Sequence, residues 1–309
     1  MSVLPAWFST RRSLATGIAG SGAGIGGIVY NLAEGRALEA VDVQTTYKIL
    51  AFCSLGANRV SSLLMKSRDK PQDNRQRRTL DYHDLARPEV LLVMLWGMTT
   101  EFGYIALWYS LPSYAASIGL SAQQGSVAGT ILNLGITIGR PVVGYTSDVF
   151  GRITVSTIIM AVCGLLCLAI WIPANSYAAL LGFALTAGAV CGNFWCTVTP
   201  VLAEIVGLGR LSTTFTLICL TLAIPTAVAE PIALGLVTGS SYLHTQVFVG
   251  CMFFSASFGL WMLRSLRLYQ VENRLQRSER DLRVTVRQLS QGLSIGLDYG
   301  RCLSLAELS

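Results

Sequence analysis

Two charged residues, Arg140 and Glu101, lie inside long apolar stretches of a sequence that is otherwise poor in charge. An arginine side chain keeps its proton in proteins and can bind a carboxylate through two parallel hydrogen bonds. A carboxylic acid near the middle of a membrane helix must face the protein interior or water, or be protonated. Arg140 is therefore a candidate for binding an organic anion, and Glu101 for exchanging a proton.

Both residues also have structural interpretations. Arg140 could form a salt bridge, with Glu101 on the preceding apolar stretch as one candidate partner. Glu101 could instead be a protonated, hydrogen-bonded structural acid. Charged side chains inside membranes tend to mark transport pathways, which favours substrate contact for Arg140. For Glu101 the functional and the structural interpretation remain equally open.

Further polar and aromatic side chains in the apolar stretches could contact the same ligand. Several of them precede Pro200, which is expected to kink its helix, and Pro225 and Pro231 are expected to break the next one. Broken helices mark cavities in transporters, because the freed backbone groups need protein or water partners. The predicted substrate-binding residues are Arg140, Glu101, Tyr104, Asn133, Asn193 and Trp195.

A second group of residues follows Arg140 in a turn that is too short to be a domain. Gly151 permits a tight reversal of the chain. Asp148 and Arg152 can pair with each other or with the ends of neighbouring helices. We therefore predict a gate at one membrane face, formed by Gly144, Asp148, Gly151 and Arg152.

The sequence does not indicate an enzyme. The two histidines, His83 and His244, are far apart, and no Ser/His/Asp set or pair of carboxylates is present. Seven of the eight cysteines lie in apolar stretches, where cysteine behaves as a small hydrophobic residue, and none has metal-ligand spacing. We predict no catalytic residues, no metal and no cofactor.

Glycines are concentrated near the N-terminus. Gly22, Gly24 and Gly27 formally match a dinucleotide-binding fingerprint, but that motif requires a preceding strand, and Arg11-Arg12-Ser13-Leu14 precedes them here. Small residues in a lipid-embedded helix instead allow another backbone to approach closely. The face with Gly20, Gly24 and Gly27 is therefore predicted to pack against another helix.

The composition indicates a polytopic all-α membrane protein. Of the 309 residues, 52% are hydrophobic and only 13% are charged, against about 25% charged in soluble domains. A helix needs about 20 apolar residues to cross a bilayer. Eight stretches are candidates: 14–32, 47–65, 89–113, 124–145, 153–172, 177–201, 212–237 and 243–263.

The distribution of positive charge predicts the orientation. With the N-terminus in the cytoplasm, most of the 23 lysines and arginines fall on the cytoplasmic side, as the positive-inside rule requires. Both termini are then cytoplasmic, since eight spans are an even number. This distribution explains the net charge of +6 by topology, so we predict no nucleic-acid partner.

The segment after residue 263 is polar and basic. Leu268, Val271, Leu275, Leu282, Val286 and Leu289 recur at near-helical spacing among arginines. This pattern is typical of a basic amphipathic helix on anionic lipid. A solvated cytoplasmic tail explains the composition equally well.

Several motifs resemble the major facilitator superfamily. Residues 144–152, Gly-Tyr-Thr-Ser-Asp-Val-Phe-Gly-Arg, resemble its loop motif G-x-x-x-D-[RK]-x-G-[RK], with Val149 where a basic residue is usual. Further motifs resemble the fungal monocarboxylate-transporter-like branch: Trp7-Phe8 with Arg11-Arg12, Gly103-Tyr104, Gly139-Arg140-Pro141, Phe194-Trp195 with Pro200, and Glu230-Pro231-Ile232.

The resemblance implies an alternating-access permease that couples the movement of a carboxylate to that of a proton. Animal carriers of this kind place an aspartate one turn before the arginine that corresponds to Arg140. Here Ile136 occupies that position, and Glu101 is the candidate substitute. The implied partners are a small organic anion, a proton and the lipid bilayer.

The resembling family has twelve helices, and this chain matches the fifth to the twelfth. We therefore expect a partial fold of about eight helices and a truncated gene product. Its parts are 1–65, a remnant of the N-terminal half; 66–88, a cytoplasmic linker; 89–265, a six-helix half; and 266–309, a cytoplasmic tail. The expected function is secondary active, proton-coupled transport of a monocarboxylate or related organic anion across the plasma membrane by alternating access. An organellar membrane, and a transport-inactive receptor or accessory subunit, are the alternatives.

Overall fold

The computed structural model describes residues 4–8, 10–40, 42–64, 87–239 and 241–306, without the side chains of 6, 34–40 and 281–306. Helices account for nearly all of these residues, which confirms the predicted all-α fold. The predicted linker lies, up to residue 86, outside the described residues. The helices are α1 Leu4–Trp7, α2 Arg12–Ala40, α3 Val43–Leu64, α4 Pro88–Ser117, α5 Ala122–Phe150, α6 Arg152–Leu166 with a π-helical turn at Cys167–Trp171, α7 Tyr177–Cys191, α8 Asn193–Val206, α9 Leu208–Gly235 and α10 Leu243–Ala306.

Local sequence signals explain where several helices begin and end. Helix α5 begins with a capping box, in which Ser121 and Gln124 satisfy each other's backbone N–H groups. Glycines with positive φ angles separate two pairs of helices: Gly151 (φ 98°) lies between α5 and α6, and Gly207 (φ 78°) between α8 and α9. These glycines allow consecutive helices to reverse direction through a single residue.

Six helical segments in the described part of the chain are long and apolar enough to cross a membrane. Helices α7 and α8 together make one of them, because only Gly192 separates the two. The predicted stretches 14–32 and 47–65 form α2 and α3 but are not among the six. Glycine-rich composition in α2, and Lys48 and Arg59 in α3, make these helices less apolar.

Helix α5 lies at the centre of the helix packing, between α2 and α7. Its Gly139 is so close to Ala189 of α7 that a methyl group there would collide with the α7 backbone. Gly188 of α7 faces the carbonyl of Leu132 with equal closeness. Small residues therefore bring α5 and α7 to backbone contact, as expected for helices that associate in a membrane.

The predicted glycine face of α2 is confirmed as a packing face. Cβ atoms built on Gly24 and Gly27 would collide with α5, at Thr137 and Asn133 respectively. Those built on Gly22 and Gly26 would meet nothing within 4 Å. Only one side of the glycine-rich helix α2 is therefore in close contact with α5.

The helix breaks expected at Pro225 and Pro231 are not observed. Pro225 and Pro231 both lie inside the continuous helix α9, and Pro200 lies inside α8. The interruption in this region falls at Gly192, eight residues before Pro200. A proline removes only its own N–H, and an apolar surrounding favours keeping every other backbone hydrogen bond.

Residues up to Leu263 form one compact unit, and residues from Arg264 onward form a second one. The core of the first unit contains large buried side chains, among them Trp96, Trp171 and Phe194. In contrast, Thr46 is the buried residue of α3, whose apolar side chains such as Phe52 and Leu63 are exposed. The packing of the first unit therefore rests on the helices from α4 onward, with α2 against them.

Candidate functional site

Arg140 lies on α5, buried between α2 and the interruption that separates α7 from α8. Its side chain is 5% exposed, and Nη1 donates a hydrogen bond to the carbonyl oxygen of Gly20 in α2. A Cβ built on Gly192 would lie 2.9 Å from its Nε. Two glycines therefore make room for the guanidinium group, one on each side.

Glu101 on α4 is within electrostatic range of Arg140, although the two belong to different helices. It is 3% exposed, and the side chain of Trp195 from α8 approaches its carboxyl group. Tyr104, one turn after Glu101, is also within electrostatic range of both charges. We call Glu101, Tyr104, Arg140 and Trp195 the central polar cluster.

The cluster does not contain a salt bridge. Within the described part of the chain, neither Arg140 nor Glu101 takes part in an ion pair. Arg140 Nε and Glu101 Oε1 are buried and have no hydrogen-bond partner among the described residues. The structural alternative of an Arg140–Glu101 salt bridge is therefore not observed. One donor and one acceptor stay available to a ligand.

The two asparagines of the predicted set contact residues outside the cluster. Asn193 Oδ1 lies 3.4 Å from the hydroxyl groups of Ser156 on α6 and Thr197 on α8. Asn133 lies seven residues before Arg140 on α5 and donates to the carbonyl of Gly129. Each retains one buried, unpaired polar atom, Nδ2 in Asn193 and Oδ1 in Asn133. Among the described residues, no hydrogen bond joins either asparagine to a residue of the central polar cluster.

The four residues of the predicted gate are at the turn between α5 and α6. Asp148 accepts hydrogen bonds from the backbone N–H groups of Ser13 and Leu14, at 3.1 and 2.9 Å. It thereby caps the N-terminus of α2, where the helix dipole favours a negative charge. Gly144 lies directly against the same turn of α2, since a Cβ there would collide with the Ser13 carbonyl.

Arg152 completes the charge network at this turn. Its guanidinium group pairs with Asp148 at 3.0 Å and with Glu204, at the end of α8, at 2.5 Å. Four helices are thus joined through one arginine and one aspartate: Asp148 on α5 and Arg152 on α6 connect the α5–α6 turn to α2 and α8. Sequence analysis anticipated the pairing of Asp148 with Arg152 but missed Glu204, which no motif distinguishes.

The sequence also missed the roles of Gly20 and Gly192. Gly20 was predicted to pack against a helix, yet its carbonyl oxygen also accepts the hydrogen bond from Arg140. Gly192 interrupts the sixth apolar stretch beside the guanidinium group. The signal for Gly192 was present, because a glycine in the middle of an apolar stretch is a candidate helix break.

Buried thiols surround the cluster. Cys191 and Cys196 are both within electrostatic range of Arg140, and Cys163 and Cys167 lie near Cys191. All four are buried and reduced. The residues that the structure describes contain no group of three or more histidine, cysteine or acidic side chains that could hold a metal ion.

The sequence model of the Major Facilitator Superfamily matches residues 1–230 of the chain. The probable transporter MCH2 of Saccharomyces cerevisiae is 34% identical over 274 residues, which cover 85% of this chain and 58% of that protein. The uncharacterized transporter ESBP6 of the same yeast is 29% identical over 295 residues, covering 89% and 42%.

A third relative is named for what it exports. The fujikurins efflux protein of Gibberella fujikuroi is 25% identical over 255 residues, which cover 82% of this chain and 55% of that protein. The chain thus spans about half the length of the curated relatives it matches. All three relatives are named as transport proteins, in agreement with the prediction of a non-enzymatic protein.

Proposed function

Because the chain belongs to the Major Facilitator Superfamily, we propose that it moves a monocarboxylate or related organic anion across a membrane by alternating access, coupled to a proton. The observation that carries this proposal is Arg140, a buried cation without an ionic partner among the described residues. A buried charge without a counter-ion is costly in a membrane protein, and a bound anion would remove that cost.

The central polar cluster has complementary groups for such a ligand. A carboxylate would accept hydrogen bonds from the guanidinium group of Arg140, whose Nε is unpaired. Tyr104 would orient the ligand through its hydroxyl group, and Trp195 would provide a flat apolar surface. We propose that Asn133 and Asn193 bind polar substituents through their unpaired atoms.

Glu101 would provide the proton coupling. Its carboxyl group is buried within electrostatic range of Arg140, which stays charged, so a proton on Glu101 removes the negative charge close to the guanidinium group. A protonated Glu101 leaves Arg140 as the sole charge for the anion to balance. Release of the proton restores a negative charge that competes with the anion. This arrangement would make anion binding and proton binding favour each other.

The turn between α5 and α6 would act as the gate. Asp148 and Arg152 connect α2, α6 and α8 at one end of the helices. Opening that end requires these hydrogen bonds and ion pairs to break, and closing restores them. On the basis of the positive-inside rule, we propose that this end and both termini lie in the cytoplasm. We propose the plasma membrane as the location.

Uptake of radiolabelled carboxylates into proteoliposomes tests the transport proposal. The chain is measured alone and also preceded by four helices from a related transporter, since the resembling carriers have twelve. An inward proton gradient should drive saturable uptake of at least one monocarboxylate in one of the two forms. Absence of uptake from both forms, over a panel of monocarboxylates, would contradict the proposal and favour a receptor or accessory subunit.

Substitution of Arg140 tests the binding site. We expect Arg140→Ala to abolish carboxylate uptake and Arg140→Lys to restore it only in part, because lysine lacks the planar fork of donors. Arg59→Ala is the matched control, since Arg59 lies in α3 with an exposed side chain. Equal amounts of each variant in the membrane are confirmed by immunoblot. Unchanged uptake by Arg140→Ala would reduce Arg140 to a structural role.

A further inference from the structure

Helix α10 extends far beyond the length that a membrane requires. It runs without interruption over 64 residues, from Leu243 to Ala306, whereas about 20 residues suffice to cross a bilayer. In the part after Arg264, large apolar side chains are exposed. Leu268, Val271 and Leu275 are 59%, 54% and 62% exposed. This continuous helix therefore has an apolar stripe that nothing in the described chain covers.

The stripe follows a seven-residue repeat. Leucine recurs at Leu268, Leu275, Leu282 and Leu289, each seven residues after the last. If these leucines occupy position a of a heptad, Val271 occupies position d of the first heptad. Apolar residues at a and d form the contact line of a coiled coil, in which two helices pack side by side.

Charged residues at the flanks of the stripe identify the partner. With leucine at a, Arg267 and Arg274 fall at position g, and Glu272 and Glu279 fall at position e. In a parallel pair of helices, g of one heptad faces e of the next heptad in the partner. Arg267 would then face Glu272 of a second copy, and Arg274 would face its Glu279. An antiparallel pair would bring like charges together instead.

We propose that the segment 264–289 pairs with the same segment of a second copy of this chain, as a parallel two-stranded coiled coil. In two copies inserted into one membrane with the same orientation, both segments begin where the last membrane span ends, which favours the parallel arrangement. Two-fold symmetry produces each Arg–Glu contact twice, which makes four contacts from four residues of each copy. The inference does not rest on the transport proposal.

This arrangement explains the acidic residues better than a lipid surface does. A helix that lies on anionic lipid has basic residues on both sides of its apolar face. Here Glu272 and Glu279 flank one side of the stripe, where anionic headgroups would repel them. In the pair of copies the same two glutamates face arginines.

The pairing should be modest in strength. After Val271 the residues at position d are Ser278, Thr285 and Gly292. Beyond Val271, therefore, only the leucines at position a continue the apolar contact line. Exposed Arg–Glu contacts each contribute about 0.2–1 kcal/mol. Confinement in one membrane raises the effective concentration of the second copy, which compensates for weak contacts.

A charge-swap experiment on the full chain tests the proposal. One variant combines Glu272→Arg and Glu279→Arg, and the other combines Arg267→Glu and Arg274→Glu. Each variant alone places like charges at every facing pair and should lose self-association. A mixture of the two restores every Arg–Glu contact and should associate like the wild type. Arg277→Glu with Arg280→Glu, at positions c and f, is the control and should associate normally.

Association is measured by energy transfer between donor-labelled and acceptor-labelled copies in proteoliposomes at low protein-to-lipid ratio. Size-exclusion chromatography confirms that each variant is folded and monodisperse. Absence of transfer for the wild type would overturn the proposal. So would variants that each associate as well as the wild type, or a mixture that fails to recover. Energy transfer between wild-type copies that is seen only in vesicles without anionic lipid would show that the stripe binds the lipid surface in preference to a second copy. That result also overturns the proposal.

Discussion

Arg140 shows how a single buried side chain organises its surroundings. A backbone carbonyl, that of Gly20, satisfies one of its donors, while Nε has no partner among the described residues. Because a backbone carbonyl is neutral, it does not neutralise the positive charge of Arg140, as a carboxylate would. The residue is therefore held in position without being neutralised. A site that receives and releases an anion needs this combination, since a resident counter-ion would compete with the substrate.

The acid next to it allows a test of proton coupling. We expect Glu101→Gln to keep anion uptake but to remove its dependence on an inward proton gradient, because glutamine cannot release a proton. Glu230→Gln is the control, since Glu230 lies on α9 and no ion pair joins it to Arg140 among the described residues. Uptake is measured over a series of external pH values at constant internal pH. An unaltered pH profile would exclude Glu101 as the titrating group.

Asp148 is the residue on which the α5–α6 turn depends. Asp148→Asn places an NH2 donor against the N–H groups of Ser13 and Leu14 and removes the charge that pairs with Arg152. Leaving buried donors unsatisfied costs about 1–3 kcal/mol each, so the free energy of unfolding should fall by a comparable amount. The measurement is unfolding by denaturing detergent, together with hydrogen exchange in the first turn of α2.

Asp42 is a matched control for that substitution. It precedes α3 and accepts a hydrogen bond from Thr45 at 2.7 Å, but it is exposed to solvent. Asp42→Asn should therefore change the free energy of unfolding by a few tenths of a kcal/mol, because water can replace the lost contact. Equal effects of the two substitutions would indicate that burial of the Asp148 network contributes nothing.

At the level of helices, the contact between α2 and α5 joins the gate to the cluster. The two helices are in contact at Gly144, Arg140 and Asn133 of α5. These residues span three successive turns of that helix. Asp148 holds the beginning of α2, and Arg140 holds its Gly20. A ligand that displaces the Gly20 carbonyl from Arg140 would loosen this contact at its middle. If the chain binds the proposed anion at Arg140, we expect binding to be linked to movement of α2.

Alanine substitutions at two glycines of α2 should have different effects on stability. The Cβ of Gly24→Ala would meet the backbone of α5 at Asn133 and Thr137, at 2.8 and 2.9 Å. Overpacking of this kind typically costs about 1–3 kcal/mol. At Gly22 the Cβ meets nothing, and alanine is the better helix former by up to about 1 kcal/mol. In thermal unfolding, Gly24→Ala should lower the midpoint and Gly22→Ala should raise it or leave it unchanged.

The reverse order of these two midpoints would contradict the observed face of α2. A second pair extends the comparison along the helix: Gly27 contacts Asn133, and Gly26 meets nothing. Gly27→Ala should therefore resemble Gly24→Ala, and Gly26→Ala should resemble Gly22→Ala. The four single variants together define which side of α2 lies against α5.

On the scale of the whole molecule, one core extends through the helices from α4 to α10, and α3 contributes little to it. Four cysteines, Cys163, Cys167, Cys191 and Cys196, are fully buried in that core. Cys53 in α3 is exposed. Because a single core unfolds cooperatively, the four buried thiols should become reactive together, whereas Cys53 should react in the folded protein.

Labelling with a small thiol-reactive dye during heating, followed by peptide mass spectrometry, checks this expectation for the protein in detergent. The transitions of the four buried thiols should coincide with loss of helical signal in circular dichroism. Separate transitions for Cys163 with Cys167 and for Cys191 with Cys196 would show that α6 and α7–α8 unfold independently. That result would contradict a single cooperative core.

Helices were predictable from composition, but their interruptions were not. Apolar length placed the beginning of each of these six spans within a few residues, because a membrane demands about 20 apolar residues of any crossing helix, although the last helix continues well past its predicted end. The predicted breaks at Pro225 and Pro231 failed, since neighbouring helices decide whether a proline is accommodated. The break at Gly192 depends on the space that Arg140 occupies, which lies 52 residues away in the sequence.

By itself, the sequence determined the class of the protein: apolar length, sparse charge and a few motifs are local properties that need no partner to be recognised. It also singled out Arg140 and Glu101 as candidates, because a charge in an apolar stretch stands out wherever the chain folds, and Asp148 through the motif of the turn that contains it. Only the tertiary structure decided that Arg140 binds the Gly20 carbonyl and forms no ion pair with Glu101, and that Asp148 caps α2. Those outcomes depend on distances between helices, and helix packing, unlike charge or hydrophobicity, is a property of the whole molecule.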